Sequence, residues 1–233
     1  MPTHSNPRTP FSRFVDVSHP LLDGMITYKG LPSPVIRDYL SHEESRARYA
    51  EGVEFCLGKI EMVGHTGTYV DSPYHRYRQG KDLSELPLSS LANLDGVVVR
   101  QTRTAGRAID ASRLRGIDVR GKAVLIHTGW DTFWGTEEYF KGNPFLTRAG
   151  AESLAIGGAV LVGIDSLNID NTDDPTRPAH SILLGADIPI VEHLCNLAEL
   201  PEQGFTFFAV PVKVNRLGTF PVRAFAMVHR SDL

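Results

Sequence analysis

Three short apolar runs set the strongest limit on how this chain folds. They cover residues 97–99, 123–126 and 160–164, and none contains a polar side chain. Strands that are apolar on both faces are typical of the covered centre of a sheet. The third run follows a segment in which Thr147 is a candidate helix cap and Gly157-Gly158 a candidate stop. A helix followed directly by a buried strand predicts a mixed α/β fold.

Other segments extend this prediction. Ser41 and Glu44 have the spacing of a capping box, which predicts a short helix to about residue 50. Strand signals outnumber helix signals, so we expect a curved, barrel-like mixed β-sheet with a few flanking helices. The further predicted strands are residues 14–18, 35–39, 53–62, 188–191, 205–212 and 224–228.

Length and composition narrow the class of protein. A chain of 233 residues can bury one sizeable core, and we expect a flexible N-terminal segment at residues 1–13 and a single domain at residues 14–233. The net charge of −3 combines 24 basic with 27 acidic residues, which disfavours nucleic acid and membrane surfaces as partners and favours a small-molecule substrate. No signal peptide, spanning segment or C-x-x-C pattern is visible, so we predict a cytoplasmic protein.

The segment at residues 65–75 (HTGTYVDSPYH) concentrates groups that bind metals or move protons. It shows no helical or strand alternation, and we interpret it as a rigid loop. Gly67 can adopt backbone geometry closed to other residues, and Pro73 fixes its own φ. Such a loop can aim His65, Asp71 and His75 at one point, as a metal or catalytic site requires.

A second polar segment spans residues 165–193 and contains His180 and Glu192. A separation of 12 residues is suited to a loop and a helix followed by a strand that returns to the same site. Imidazole nitrogen with carboxylate oxygen is a common ligand mixture for Zn²⁺ or Mn²⁺.

Together these segments resemble the cyclase family of metal-dependent hydrolases, which includes bacterial kynurenine formamidases and isatin hydrolases. Residues 65–75 match the family motif H-x-G-T-H-x-D-x-P-x-H at six positions, and the resemblance extends over about residues 14–229. It implies a swivelling β/β/α fold and a homodimer or homotetramer. It also implies that His65, Asp71, His180 and Glu192 are metal ligands, that Asp71 bridges two ions, and that His75 is the acid/base.

Tyr69 departs from this pattern, because it stands where the family motif has its second histidine. A phenol has a pKa near 10 and must lose a proton before it can bind a metal strongly. Two outcomes remain open. Tyr69 contacts the metal or its water, or a single ion binds to Asp71, His180 and Glu192, with or without His65; we favour one Zn²⁺ or Mn²⁺ per chain.

The resulting hypothesis is a metal-dependent hydrolase that cleaves the C–N bond of an amide or cyclic amide. Metal-activated water would attack the carbonyl, and His75 would act as the general base. The alternatives are a lactone or ester hydrolase, a biosynthetic cyclase that uses the same site, and a non-catalytic metal- or ligand-binding relative. Arg76 and Arg78 are candidates for binding an anionic substrate group, and Asp165 and Asp170 for orienting His180.

Overall fold

The computed structural model describes residues 11–101 and 106–229. Within them the helices are α1 (His42–Ser45), α2 (Pro73–Arg76), α3 (Ala111–Leu114), α4 (Arg148–Gly157) and α5 (Pro178–Gly185). The strands are β1 (Phe11–Asp16), β2 (Val35–Leu40), β3 (Leu57–Glu61), β4 (Tyr69–Asp71), β5 (Leu94–Arg100), β6 (Ala108–Ile109), β7 (Ala123–His127), β8 (Phe145–Leu146), β9 (Leu161–Ile164), β10 (Ile190–Glu192), β11 (Phe205–Phe208), β12 (Thr219–Pro221) and β13 (Phe225–His229).

Nine of the described strands form one mixed sheet in the order β1-β13-β11-β5-β7-β9-β10-β4-β12. Its centre, from β5 to β10, is parallel, and both flanks are antiparallel. The sheet curls into a half-barrel and carries a few helices, as the mixed α/β prediction required. Two small pairs, β2 with β3 and β6 with β8, lie outside it.

The three apolar runs become β5, β7 and β9, which confirms the prediction of strands buried on both faces. On β7, Val124 and Ile126 pack in the cluster that contains Leu154 of α4 and Leu183 of α5. Leu125 faces the opposite cluster, inside the curl of the sheet. The predicted cap is also present, because the Thr147 side chain accepts from the Gly150 amide at 3.1 Å.

Several boundaries differ from the predictions. Residues 1–10 of the expected flexible segment lie outside the described residues, whereas residues 11–13 belong to β1 and pair with β13. The expected strand at 53–62 begins only at Leu57, and its partner is β2 rather than the large sheet. Among the described residues, no helix is long and apolar enough to span a bilayer.

Candidate metal centre

The segment at 65–75 is a bend, a strand and a helical turn, so the expectation of a loop was wrong. A strand of three residues is too short to show alternation, and β4 is paired on both sides, with β10 and with β12. Gly67 has a φ of +68°, as the bend requires, and Pro73 begins α2. Gly218, directly before β12, lets the chain pass close to α2, since a Cβ there would stand 2.6 Å from the His75 amide nitrogen.

Three predicted ligands meet although they come from separate elements. Asp71 ends β4, His180 lies in α5, and Glu192 ends β10. The His180 Nε2 atom is 3.7 Å from Asp71 Oδ2 and 3.7 Å from Glu192 Oε1. All three side chains are buried, and one ligand atom from each lies within 4.8 Å of the others.

His180 is oriented by a buried carboxylate behind it. Its Nδ1 lies 2.7 Å from Asp170 Oδ2, while Asp170 also accepts from the backbone amides of Ala179 and His180. Because Nδ1 is held by Asp170, Nε2 is the nitrogen that faces Asp71 and Glu192 and that would bind a metal once it loses its proton, which is the arrangement that metal-binding imidazoles use. Of the two candidates for this role, Asp170 fills it. Asp165 instead accepts from the backbone amides of Thr128 and Gly129.

The carboxylates of Asp71, Asp170 and Glu192 favour a positive charge on the groups between them. Burial works against a charged His180, but the hydrogen bond to Asp170 and the nearby carboxylates outweigh it and raise the His180 pKa to about 10. Burial raises the pKa of Glu192, because its charge is removed from water. Asp71 Oδ1 accepts from the Thr219 hydroxyl, whereas its buried Oδ2 has no hydrogen-bond partner in the described structure.

This donor set fits a divalent cation. Two ligand atoms that each lie about 2.1 Å from a tetrahedral ion stand roughly 3–4 Å apart, which matches the two separations of 3.7 Å from His180 Nε2. A buried carboxylate oxygen without a donor is costly unless a cation or another partner meets it. Asp71 Oδ2 therefore has the position and chemistry of a metal ligand.

Tyr69 contacts Glu192, a candidate ligand, rather than the point where the candidate ligands converge. Tyr69 and Glu192 lie opposite each other across β4 and β10, and the phenol donates to Glu192 Oε2 at 2.6 Å. Glu192 Oε1 accepts from the Ile169 amide at 2.6 Å, so both oxygens are held. Burial and the carboxylates of Glu192 and Asp71 raise the Tyr69 pKa well above its usual value, which keeps the phenol protonated.

His65 and His75 lie on the other side of Asp71 and form a second group of possible ligands with it. The His65 Nε2 is 3.9 Å from Asp71 Oδ1, and the His65 and His75 rings are 4.7 Å apart. Burial lowers the pKa of His65, so its imidazole is neutral at pH 7. His75 is exposed to a cavity of about 360 Å³ that also reaches His180 and Glu192.

Several contacts in the centre were missed by the sequence analysis. The Thr219 hydroxyl that holds Asp71 comes from a strand 148 residues further along the chain, and the Ile169 amide is a backbone group. Neither has a signal in the linear sequence. Two further histidines are held by other partners: His127 Nδ1 is 2.8 Å from Arg100 Nη1, and buried His193 meets the Tyr139 hydroxyl.

Known sequences resemble this chain over most of its length. The family model described as "Putative cyclase" matches residues 15–171. A kynurenine formamidase of Erythrobacter litoralis is 28% identical over 202 residues, covering 87% of this chain and 88% of that protein. A kynurenine formamidase of Salinibacter ruber is 30% identical over 169 residues, covering 72% of this chain and 78% of the relative.

Solved structures share the fold. Isatin hydrolase A from Labrenzia aggregata, bound to benzyl benzoate, superposes with a TM-score of 0.81 at 21% identity and covers 94% of each chain. A protein of Bacillus stearothermophilus described as a predicted metal-dependent hydrolase gives a TM-score of 0.73 at 26% identity, covering 92% of this chain and 97% of the other. With the family match and the grouped ligands, these likenesses show that the chain belongs to the cyclase family of metal-dependent hydrolases.

Proposed function

We propose that this chain hydrolyses the C–N bond of an aryl amide or cyclic amide. The observation that carries the proposal is the convergence of Asp71, His180 and Glu192 beside His75, which faces a cavity. Within the described part of the chain, the buried Oδ2 of Asp71 has no hydrogen-bond donor. Kynurenine formamidases and isatin hydrolases among the similar proteins support C–N cleavage. Tyr28 and Leu31 give the cavity an aromatic and an aliphatic side chain, which suits an aryl substrate.

The chain's residues divide the chemistry between them. Asp71, His180 and Glu192 would hold a divalent cation, which when bound lowers the pKa of water and polarises a carbonyl. His75 accepts a proton from the attacking water and returns it to the leaving nitrogen, a role worth about 10²–10⁴ in rate. Water is thereby added across the C–N bond, and the products are a carboxylic acid and an amine.

We further propose one Zn²⁺ or Mn²⁺ per chain. Nitrogen and oxygen ligands suit both ions. The protonated Tyr69 phenol supports a single ion, because it donates to Glu192 and offers no strong ligand to the group around His65.

The test measures how fast the protein hydrolyses a set of related probes after its metal has been removed and then returned. Aryl formamides, a cyclic imide, a lactam and a lactone are incubated with protein that has been treated with chelator and then reloaded with Zn²⁺ or Mn²⁺. We expect formamide or cyclic amide cleavage only in the reloaded protein. Cleavage of the lactone alone would favour the ester and lactone alternative, ring closure would favour a cyclase, and no turnover with bound metal would favour a non-catalytic relative.

A homodimer or homotetramer is also part of the proposal. The β2 and β3 pair is exposed along almost its whole length and still carries large apolar side chains, including Tyr39 at 74% and Ile60 at 54% exposure. Apolar surface of this kind is typical of interfaces. Light scattering after size-exclusion chromatography would give the mass, and a monomer would contradict the proposal. We propose a cytoplasmic location and a small-molecule substrate on the grounds of composition given above.

A further inference from the structure

Two arginines line the same cavity as the candidate metal centre. Arg76 follows His75 in α2, and Arg177 lies directly before α5, three residues before His180. Because α2 packs against α5, the two side chains reach the cavity from neighbouring elements. Among the described residues that line this cavity, Glu192 is the sole carboxylate, and it is already held by Tyr69 and Ile169.

In the part of the chain that the structure describes, neither arginine forms an ion pair with a carboxylate. Arg76 donates from Nε to the Ser181 hydroxyl at 3.2 Å, which fixes the guanidinium and leaves both terminal nitrogens without a recorded protein acceptor in the described structure. Among the described residues, the hydrogen-bond acceptors of Arg177 Nη1 are two neutral oxygens, on Asn168 and Asn171, each at 3.4 Å. By contrast, Arg13, Arg46 and Arg223 form ion pairs of 2.6–3.1 Å with Glu199, Glu54 and Asp16.

The backbone at Arg177 adds an independent observation. Its φ of 45° and ψ of 62° lie in the left-handed region, which is unfavourable for a residue with a side chain and more so before a proline such as Pro178. Strain of this kind, of order 1–3 kcal/mol, clusters where a side chain must be aimed at a site. The charge of nearby Asp174 acts on Arg177, but among the described residues the two form no ion pair within 4.0 Å, and Asp174 accepts hydrogen bonds from the Thr176 amide and hydroxyl.

We propose that Arg76 and Arg177 form a subsite for an anionic group on the substrate, a carboxylate or sulfonate carried on the aryl part away from the scissile bond. The proposal rests on the proposed hydrolysis and adds the charge class of the substrate. With a divalent ion bound, Asp71 and Glu192 are neutralised, and the two guanidinium groups leave the cavity with a positive surplus. Guanidinium groups recognise planar oxyanions through paired hydrogen bonds.

The binding arm of the test does not depend on turnover. Calorimetry measures binding of benzenesulfonate, a weakly coordinating anion, and of methyl phenyl sulfone, its neutral analogue, to metal-loaded protein. The variants are Arg76→Gln and Arg177→Gln. The matched control is Arg78→Gln, because Arg78, the other candidate from the sequence, is exposed and does not line the cavity. We expect each cavity variant to raise the Kd for benzenesulfonate about tenfold and the control to change it less than twofold.

The kinetic arm compares formanilide with its ring-carboxylated analogue. We expect wild type to favour the carboxylate by kcat/KM, and this ratio to fall about tenfold in each cavity variant and to change less than twofold in Arg78→Gln. Equal binding of the sulfonate and the sulfone by wild type, or unchanged Kd in Arg76→Gln, would overturn the subsite. If Arg177→Gln fails to fold, Arg76→Gln decides. Loss of all turnover with preserved sulfonate selectivity would reject the hydrolysis and not the subsite.

Discussion

Replacing Tyr69 by phenylalanine removes one oxygen and tests how the candidate centre holds its ligands. The phenol donates to Glu192 Oε2 at 2.6 Å, and both side chains are buried. In the variant, the nearest remaining donor to that oxygen is the Asn168 amide at 3.4 Å, too long for a strong bond. A hydrogen bond to a charged group contributes about 1.5–3 kcal/mol, and loss of a group that orients a ligand weakens metal binding about 10–100-fold. We therefore expect a Zn²⁺ Kd that is about 10–100-fold higher.

The assay is competition between the protein and a chromophoric chelator for Zn²⁺ at pH 7.5. Tyr139→Phe is the matched control, because Tyr139 is equally buried but its hydroxyl meets His193 Nδ1 at 2.8 Å and no candidate ligand. That variant should keep the wild-type Kd within about twofold, whatever it loses in stability. The reasoning would be refuted if Tyr69→Phe bound Zn²⁺ as tightly as wild type, or if both variants lost affinity equally.

Three further predictions concern single side chains. His75→Ala should keep the metal affinity while kcat falls about 10²–10⁴-fold; a parallel loss of affinity would instead make His75 a ligand. Tyr69→His should raise the bound Zn²⁺ from one ion per chain to two, because a neutral imidazole beside His65 can bind the metal directly. Elemental analysis measures this number, and a value of one would contradict the role inferred for Tyr69. His19 stacks on Trp134 and its buried Nε2 has no partner in the described structure; burial lowers its pKa from 6.5 to about 4. Between pH 6.5 and 4 the unfolded state therefore binds more protons than the folded state, so the free energy of unfolding falls as the pH falls through this range. The loss is about 3 kcal/mol at most from the pKa difference, and about 1 kcal/mol once screening by solvent is included. His19→Phe should flatten this part of the pH dependence in urea unfolding, and an unchanged slope would count against the assignment.

Local patterns predicted much of the molecule. The runs that became β5, β7 and β9 were visible because a strand covered on both faces needs apolar side chains at every position. The Thr147 cap was visible because a capping hydroxyl acts within three residues of itself. His180 and Glu192 were identified by their chemistry and by the family resemblance, and the structure places them together with Asp71.

What the sequence did not predict depends on partners far away in the chain. The strand β4 has only three residues, and its identity depends on two neighbours that begin more than 100 residues later. The sequence around Thr219 gives no sign of its role, because it is the pairing of β12 with β4 that places its hydroxyl beside Asp71. The sequence left open whether Tyr69 contacts the metal or its water, or whether a single ion binds without it. The register of β4 against β10 instead sets the Tyr69 phenol against Glu192.

The placement of Asp71, His180 and Glu192 on three different elements also links occupancy to folding. An ion held by β4, α5 and β10 would be bound by residues that are far apart along the unfolded chain, so the unfolded state would bind it much more weakly than the folded state. Loading then stabilises the folded state by RT ln(1 + [L]/Kd), about 2.7 kcal/mol when the free ion is at 100 times its Kd. The supply of metal would thus govern how long the protein survives heat as well as whether it turns over substrate.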